Sequence, residues 1–280
     1  MSSPFLRKEH TQIIHPLIVK LEKLYRPNKT IIVAIQGGQG TGKTTLVKVL
    51  RQELEQKGYC VTHFSIDDFY LPLVQRKALQ KKFLGNPFYQ IPRGLPGTHD
   101  LVLLKEVLSL LQQGKRVEVP LFDKSVENGQ GDRSALSVFV SERQDFVLFE
   151  GWCVGIPVVS SSTFVRLCAK NKISLKTIDP LLKYYPVVLR FIKQYQSLWK
   201  FFDFRIMLKP KFIRSHLLWR QQQERELREQ RGQSMTSVEI ERFVNLFLPF
   251  TYLCYEKLKA QATILIDEKH VFRGVVLKKK

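Results

Sequence analysis

Between residues 30 and 58 the chain passes from a β-branched run, Thr30-Ile31-Ile32-Val33-Ala34-Ile35, through a glycine-rich turn into a helical pattern over Lys43–Gln56. The first segment shows no polar alternation, as a strand buried on both faces requires. The helical segment repeats apolar residues at Leu46, Val47, Val49, Leu50 and Leu54 and closes at Gly58. A buried strand feeding a helix is half of a βαβ unit, which restricts the chain to the α/β class. Short apolar runs at residues 59–65, 146–150, 204–208 and 262–266 have the same character, and the stretches between them are long enough for crossover helices. The expectation is a five-stranded parallel sheet with helices on both faces.

The turn itself, Gly37-Gly38-Gln39-Gly40-Thr41-Gly42-Lys43-Thr44, fits G-x-x-x-x-G-K-[ST] between a strand and a helix. Glycines let successive N–H groups point inward at phosphate oxygens, and the helix N-terminus adds partial positive charge. Residues Gly37 to Gly42 with Lys43, Thr44 and Thr45 are therefore expected to bind nucleotide. Lys43 would bridge the β- and γ-phosphates and Thr44 would sit on Mg²⁺. A second acidic element, Ser65-Ile66-Asp67-Asp68-Phe69-Tyr70, closes the second strand, and Glu150 closes the strand at 146–150. Carboxylates at the C-terminal edge of such a sheet lie where ligands bind. The D-x-F-Y spacing resembles that of uridine kinase, and the resemblance implies Asp67 as the catalytic base and leaves Asp68 to cap or brace the following loop; Glu150 and Asp67 join Thr44 as candidate metal ligands.

This combination resembles the uridine kinase and pantothenate kinase branch of phosphate-loop kinases. The segments Arg93-Gly94-Leu95-Pro96-Gly97-Thr98-His99-Asp100, Pro120-Leu121-Phe122-Asp123-Lys124-Ser125, Gly131-Asp132-Arg133 and Glu150-Gly151-Trp152-Cys153-Val154-Gly155 resemble more narrowly those of the D-glycerate 3-kinase family. So does Trp219-Arg220-Gln221-Gln222-Gln223-Glu224, with Met235, Phe243 and Pro249. The resemblance implies transfer of the γ-phosphoryl of Mg·ATP to a hydroxyl of a small acid, with D-glycerate the leading acceptor. Residues 158–186 match none of these blocks and read as an insertion or a variable connection.

Two Gly- and Pro-rich stretches, 85–100 and 120–133, read as substrate loops. Arg93 and Arg133 are the candidates for gripping a carboxylate, Arg133 as a catalytic group also, since guanidinium pairs carboxylates bidentately. Asp100 and Asp123 would orient hydroxyls, with His99, Lys124 and Trp152 completing the substrate set. Arg220, Arg225 and Arg228 lie in a helical stretch, 211–231, that reads as a lid.

Composition enters through charge. The chain carries 45 Lys and Arg against 25 Asp and Glu, a formal charge of +20. Residues 61–150 are neutral, with 11 of each sign, whereas 151–199 carry 7 basic residues and 1 acidic. A nucleotide-gated nucleic-acid-binding protein is thus the alternative from another class, and a kinase for a nucleoside or pantothenate-like acceptor is the alternative within the same class. Neither an RNA-binding aromatic motif nor a helix-turn-helix is recognisable, so nucleic acid is the less favoured partner. Residues 7–25 place apolar side chains at helical spacing and predict an N-terminal helix within 1–28. No uninterrupted apolar run is long enough to span a bilayer, and residues 1–17 lack the pattern of a secretory signal, so a cytoplasmic single-domain protein is expected. The four cysteines have no ligand spacing and are read as reduced core thiols.

Overall fold

The computed structural model describes residues 10–212, 214–231 and 235–278. Among these residues the strands are β1 (Ile31–Gly37), β2 (Val61–Ser65), β3 (Val117–Asp123), β4 (Asp132–Val140), β5 (Phe146–Gly151), β6 (Phe204–Pro210), β7 (Ala262–Ile266) and β8 (Phe272–Leu277). The helices are α1 (His15–Glu22), α2 (Lys43–Gln56), α3 (Leu73–Lys82), α4 (Leu101–Gln112), α5 (Ser161–Lys170), α6 (Leu175–Ile178), α7 (Tyr185–Tyr195), α8 (Ser215–Arg231) and α9 (Ser237–Lys257).

Six strands form one sheet in the order β2-β5-β1-β6-β7-β8. The five expected strands are present and mutually parallel. β8 is a correction to the five-stranded expectation: it adds an antiparallel edge to β7. Its residues are mostly half-exposed, so its sequence lacks the apolar run by which the others were read. β1 is central and all seven of its residues are buried. One face of the sheet is covered by α1 and α2, with Leu17, Ile18, Leu46 and Leu50 against Val33 and Ile35. The other is covered by α4, α5, α7 and α9. No helix among the described residues is long and apolar enough to cross a membrane.

Two further readings change. The stretch 120–133, expected as a loop, is one at 124–131, but its ends belong to the strands of the antiparallel β3–β4 hairpin, with a register irregularity between Pro120 and Phe122. Proline at a bulge of a two-stranded ribbon removes no central ladder bond, but it hides the period-2 signal. Helix α4 lies between the two loop regions, so 85–133 is not loop throughout. Residues 158–186 supply α5 and α6, and Phe164 stacks on Phe250 of α9 at 5.0 Å. This stretch is therefore built into the core. The N-terminal helix begins as a π-helical turn at His10–Ile14 and ends at Glu22; the rest of the expectation for 1–9 lies outside the described residues. Cys153, Cys168 and Cys254 are buried and Cys60 is exposed; all are free thiols.

Candidate active site

The phosphate loop leaves β1 at Gly37, and Gly42 takes φ +83° as the N-cap of α2, a conformation an L side chain resists. Thr41 Oγ1 donates to the Gly38 carbonyl at 2.8 Å, and Lys43 Nζ donates to the same oxygen at 3.1 Å. Thr44 and Thr45 are exposed on the first turn of the helix. Sequence reading missed the support behind this loop. The Tyr255 hydroxyl accepts the Gly38 N–H at 3.1 Å and contacts His216 Nε2 at 3.1 Å, while His216 Nδ1 faces the Gln39 carbonyl at 3.4 Å. Burial pushes the His216 imidazole down to about 4, so it is neutral at pH 7. A Cβ on Gly38 would lie 2.2 Å from His216 Cε1, which explains glycine there.

The acids follow from the end of β2. Ser65 caps a 3₁₀ turn, Ile66–Phe69: its hydroxyl accepts the Asp67 N–H, and Asp68 Oδ2 accepts the Ser65 N–H at 2.8 Å. Asp68 thus braces its own turn back to the end of β2 rather than the following loop. Burial, with Asp67 and Glu150 nearby, raises its carboxyl to about 6 despite the Ser65 N–H. Asp67 turns the other way. Its Oδ1 accepts from the Tyr70 hydroxyl at 2.8 Å and its Oδ2 from Lys124 Nζ at 2.6 Å. Burial opposes its ionisation, but the Lys124 charge and the two hydrogen bonds outweigh burial and hold it below the usual carboxylate range. Glu150, on the neighbouring strand, accepts from Thr44 Oγ1 at 3.3 Å, and burial raises its pKa.

These groups meet in a cleft of about 700 Å³ lined by Gln39, Lys43, Thr44, Asp67, Asp68, Tyr70, Arg93, Lys124, Glu150 and Trp152. The C-terminal half contributes Arg220, Met235, Glu239, Arg242, Phe243 and Phe247. Of the expected substrate residues, Arg93, Lys124 and Trp152 therefore reach the cleft. Four do not. Arg133 donates to Asp100 Oδ2 at 2.7 Å and to the Tyr70 carbonyl at 3.1 Å, which commits its guanidinium to the loop behind the cleft. Asp100 caps α4 through Leu103 N–H. Asp123 is exposed and folds onto Ser125. His99 is buried behind Tyr70, stacked at 4.5 Å, with Nδ1 on the Tyr195 hydroxyl at 2.8 Å.

An arginine the sequence did not single out organises these loops. Arg76 is 2% exposed and donates to the carbonyls of Leu71, Pro92 and Gln130 at 2.8–2.9 Å, and to that of Gly131. One side chain thus ties α3 to both expected substrate loops. Arg93 adds two bonds to the Gly129 and Gln130 carbonyls at 2.7 Å. Arg76→Leu leaves these buried carbonyls without donors, and a stability loss of about 3 kcal/mol is expected in denaturant unfolding.

Of the expected lid arginines, Arg220 lines the cleft, pairs with the buried Glu224 at 2.5 Å and lies over the Phe243 ring. Arg225 is exposed and lines no part of the cleft, and the side chain of Arg228 lies outside the described residues. Trp152 forms a wall: its Nε1 donates to Thr251 Oγ1 and its ring meets Phe247 edge-on at 4.7 Å. Met235, Phe243 and Phe247 form the apolar side of the cleft. Among the described residues no three His, Cys, Asp or Glu groups converge as a self-sufficient metal cage. A hydroxyl beside one carboxylate, as at Thr44 and Glu150, instead suits Mg²⁺ shared with phosphate oxygens and water.

No family model matches the chain. It is 34% identical over 244 residues to the uncharacterized kinase mug58 of Schizosaccharomyces pombe, covering 85% of this chain and 86% of that one. It is 31% identical over 229 residues to the chloroplastic D-glycerate 3-kinase of Arabidopsis thaliana, covering 78% of this chain but only 46% of that longer protein. Its fold superposes on a D-glycerate 3-kinase from Cryptococcus neoformans with a TM-score of 0.82 at 25% identity, over 95% of this chain and 96% of that one. The chain belongs to the same kinase family as mug58. It is an ATP-dependent kinase with the phosphate-loop fold, and in this kinase the loop, Asp67 and Glu150 stand at the C-terminal ends of β1, β2 and β5.

Proposed function

We propose that this kinase transfers the γ-phosphoryl of ATP to a hydroxyl of D-glycerate, giving 3-phosphoglycerate, and that residues 10–278 act as one catalytic unit. The observation that carries the reading is a depressed carboxylate, Asp67, held by the Lys124 ammonium in the cleft that Arg93 and the phosphate loop also line. Asp67 orients the acceptor hydroxyl and takes its proton late in the transfer. Lys43 holds the β- and γ-phosphates. Thr44 and Glu150 would hold Mg²⁺, which when bound offsets charge on those phosphates. Arg93 uses Nη1 for backbone carbonyls, and its remaining donors with Lys124 suit the acid's carboxylate. This role passes from Arg133 to Lys124.

A nucleoside or pantothenate-like acceptor is the second reading, and the aromatic side of the cleft, Trp152, Phe243 and Phe247, favours it. A coupled ADP-release screen over hydroxy acids, nucleosides and pantothenate decides between them. D-glycerate is expected to give the highest kcat/KM, and Arg93→Ala to raise KM for the acid far more than for ATP. A nucleoside preferred tenfold, about 1.4 kcal/mol of transition-state stabilisation, overturns the glycerate reading.

The hydrogen bond from Tyr70 gives a pH test. Asp67 works as a carboxylate, so kcat/KM falls as pH drops through its pKa. Tyr70→Phe removes one of the bonds that lower that pKa. The acidic limb of the pH profile is expected to move to higher pH, with the basic limb unchanged; an unmoved acidic limb assigns the base elsewhere.

A further inference from the structure

Two segments of the chain carry a local excess of positive charge. Residues 71–99 contain five basic residues and no Asp or Glu; residues 151–202 contain eight basic residues and a single acid, Asp179, which is buried. The two segments pack together: Phe83, after α3, meets Phe191 of α7 at 5.9 Å and Tyr89 at 5.2 Å. At their junction stand two short turns of the same make-up, Lys81-Lys82-Phe83-Leu84-Gly85 and Leu181-Leu182-Lys183-Tyr184. The Tyr184 hydroxyl lies 3.6 Å from where a Gly85 Cβ would be, so the turns are neighbours. In each, one apolar residue is anchored and the leucine beside it is turned out: Leu84 is 81% exposed and Leu181 73%.

This exposure is held by the fold. Asp179 accepts the N–H groups of Lys183, Tyr184 and Tyr185 at 2.7–3.0 Å, fixing the second turn, and Phe83 fixes the first. Lys81, Lys82 and Lys183 flank the two leucines, all exposed. Rigidly presented leucines flanked by lysines, on two turns whose only acid is the buried Asp179, match an anionic lipid surface: leucines enter the headgroup boundary while ammonium groups meet lipid phosphates and carboxylates. Nucleic acid calls for cations without projecting leucines. We infer that this edge, formed by residues 81–85 and 181–184, docks the kinase peripherally on anionic membranes, independently of which acceptor it phosphorylates.

The test is co-sedimentation of the full chain with phosphatidylcholine vesicles with and without phosphatidylserine, at low and high salt. Binding is expected only with phosphatidylserine and should fall as salt rises. The triple substitution Lys81→Gln, Lys82→Gln and Lys183→Gln should weaken it roughly a hundredfold. Leu84→Ser with Leu181→Ser should weaken it about tenfold. Both variants should keep ATP turnover, which reports that the fold is intact. Absence of phosphatidylserine-dependent binding overturns the inference. So does binding that the leucine pair leaves unchanged and that a DNA duplex competes away, which makes the face a general polyanion site.

Discussion

Asp67→Asn is expected to lower kcat by about 10²-fold or more with ATP binding nearly intact, whereas Asp68→Asn leaves kcat within about tenfold. The two side chains are adjacent in sequence but leave the capped turn in different directions. Asp67 meets the cleft through Tyr70 and Lys124, and Asp68 returns to the Ser65 N–H. Asparagine at 67 keeps the shape and removes the basic oxygen. At 68 its carbonyl oxygen still accepts the Ser65 N–H. Burial raises the Asp68 carboxyl to about 6, so at pH 7 its ionised form still predominates but gains little from its surroundings, and the neutral amide carries little stability cost. Measured side by side at saturating Mg·ATP, the opposite ranking removes Asp67 as the base.

Lys43→Ala is expected to abolish detectable turnover, a loss of at least about 10³-fold, and to weaken ATP binding. Its ammonium rests 3.1 Å from the Gly38 carbonyl, folded over the loop where the phosphates bind. Among the described residues the other lysine lining the cleft is Lys124, which is held by Asp67. Single-turnover phosphoryl transfer with calorimetric nucleotide titration separates the two effects. Full activity in this variant would sink the phosphate-loop assignment.

The parts legible in the sequence are those whose signals are local. The β1–loop–α2 unit, the acids after β2 and Glu150 after β5 each announce themselves within a few residues of a buried strand. Side-chain partnerships did not. Arg133 was recognised as a cation in a loop, but nothing in its neighbourhood says that Asp100 and the Tyr70 carbonyl take its donors. The brace of Tyr255 on Gly38 spans 217 positions, and His216 and Tyr255 sit in helices that read as ordinary amphipathic segments. Arg76 resembles any surface arginine of α3 until both loops close over it. The β3–β4 hairpin was hidden by Pro120 and its bulge, and β8 by its exposure.

The contact between Lys124 and Asp67 bears on what the enzyme does while it waits. A kinase loaded with ATP before its acceptor arrives always has water at hand as a rival nucleophile, and a free carboxylate beside the γ-phosphoryl would serve water as well as an alcohol. Here both carboxylate oxygens are occupied, one by the ammonium and one by the phenol. A water molecule brings no charge to draw Lys124 away. An acid does, so under the proposed assignment the same anion that supplies the hydroxyl would also free the oxygen that receives its proton, and wasteful ATP hydrolysis would be restrained until the right molecule is in place.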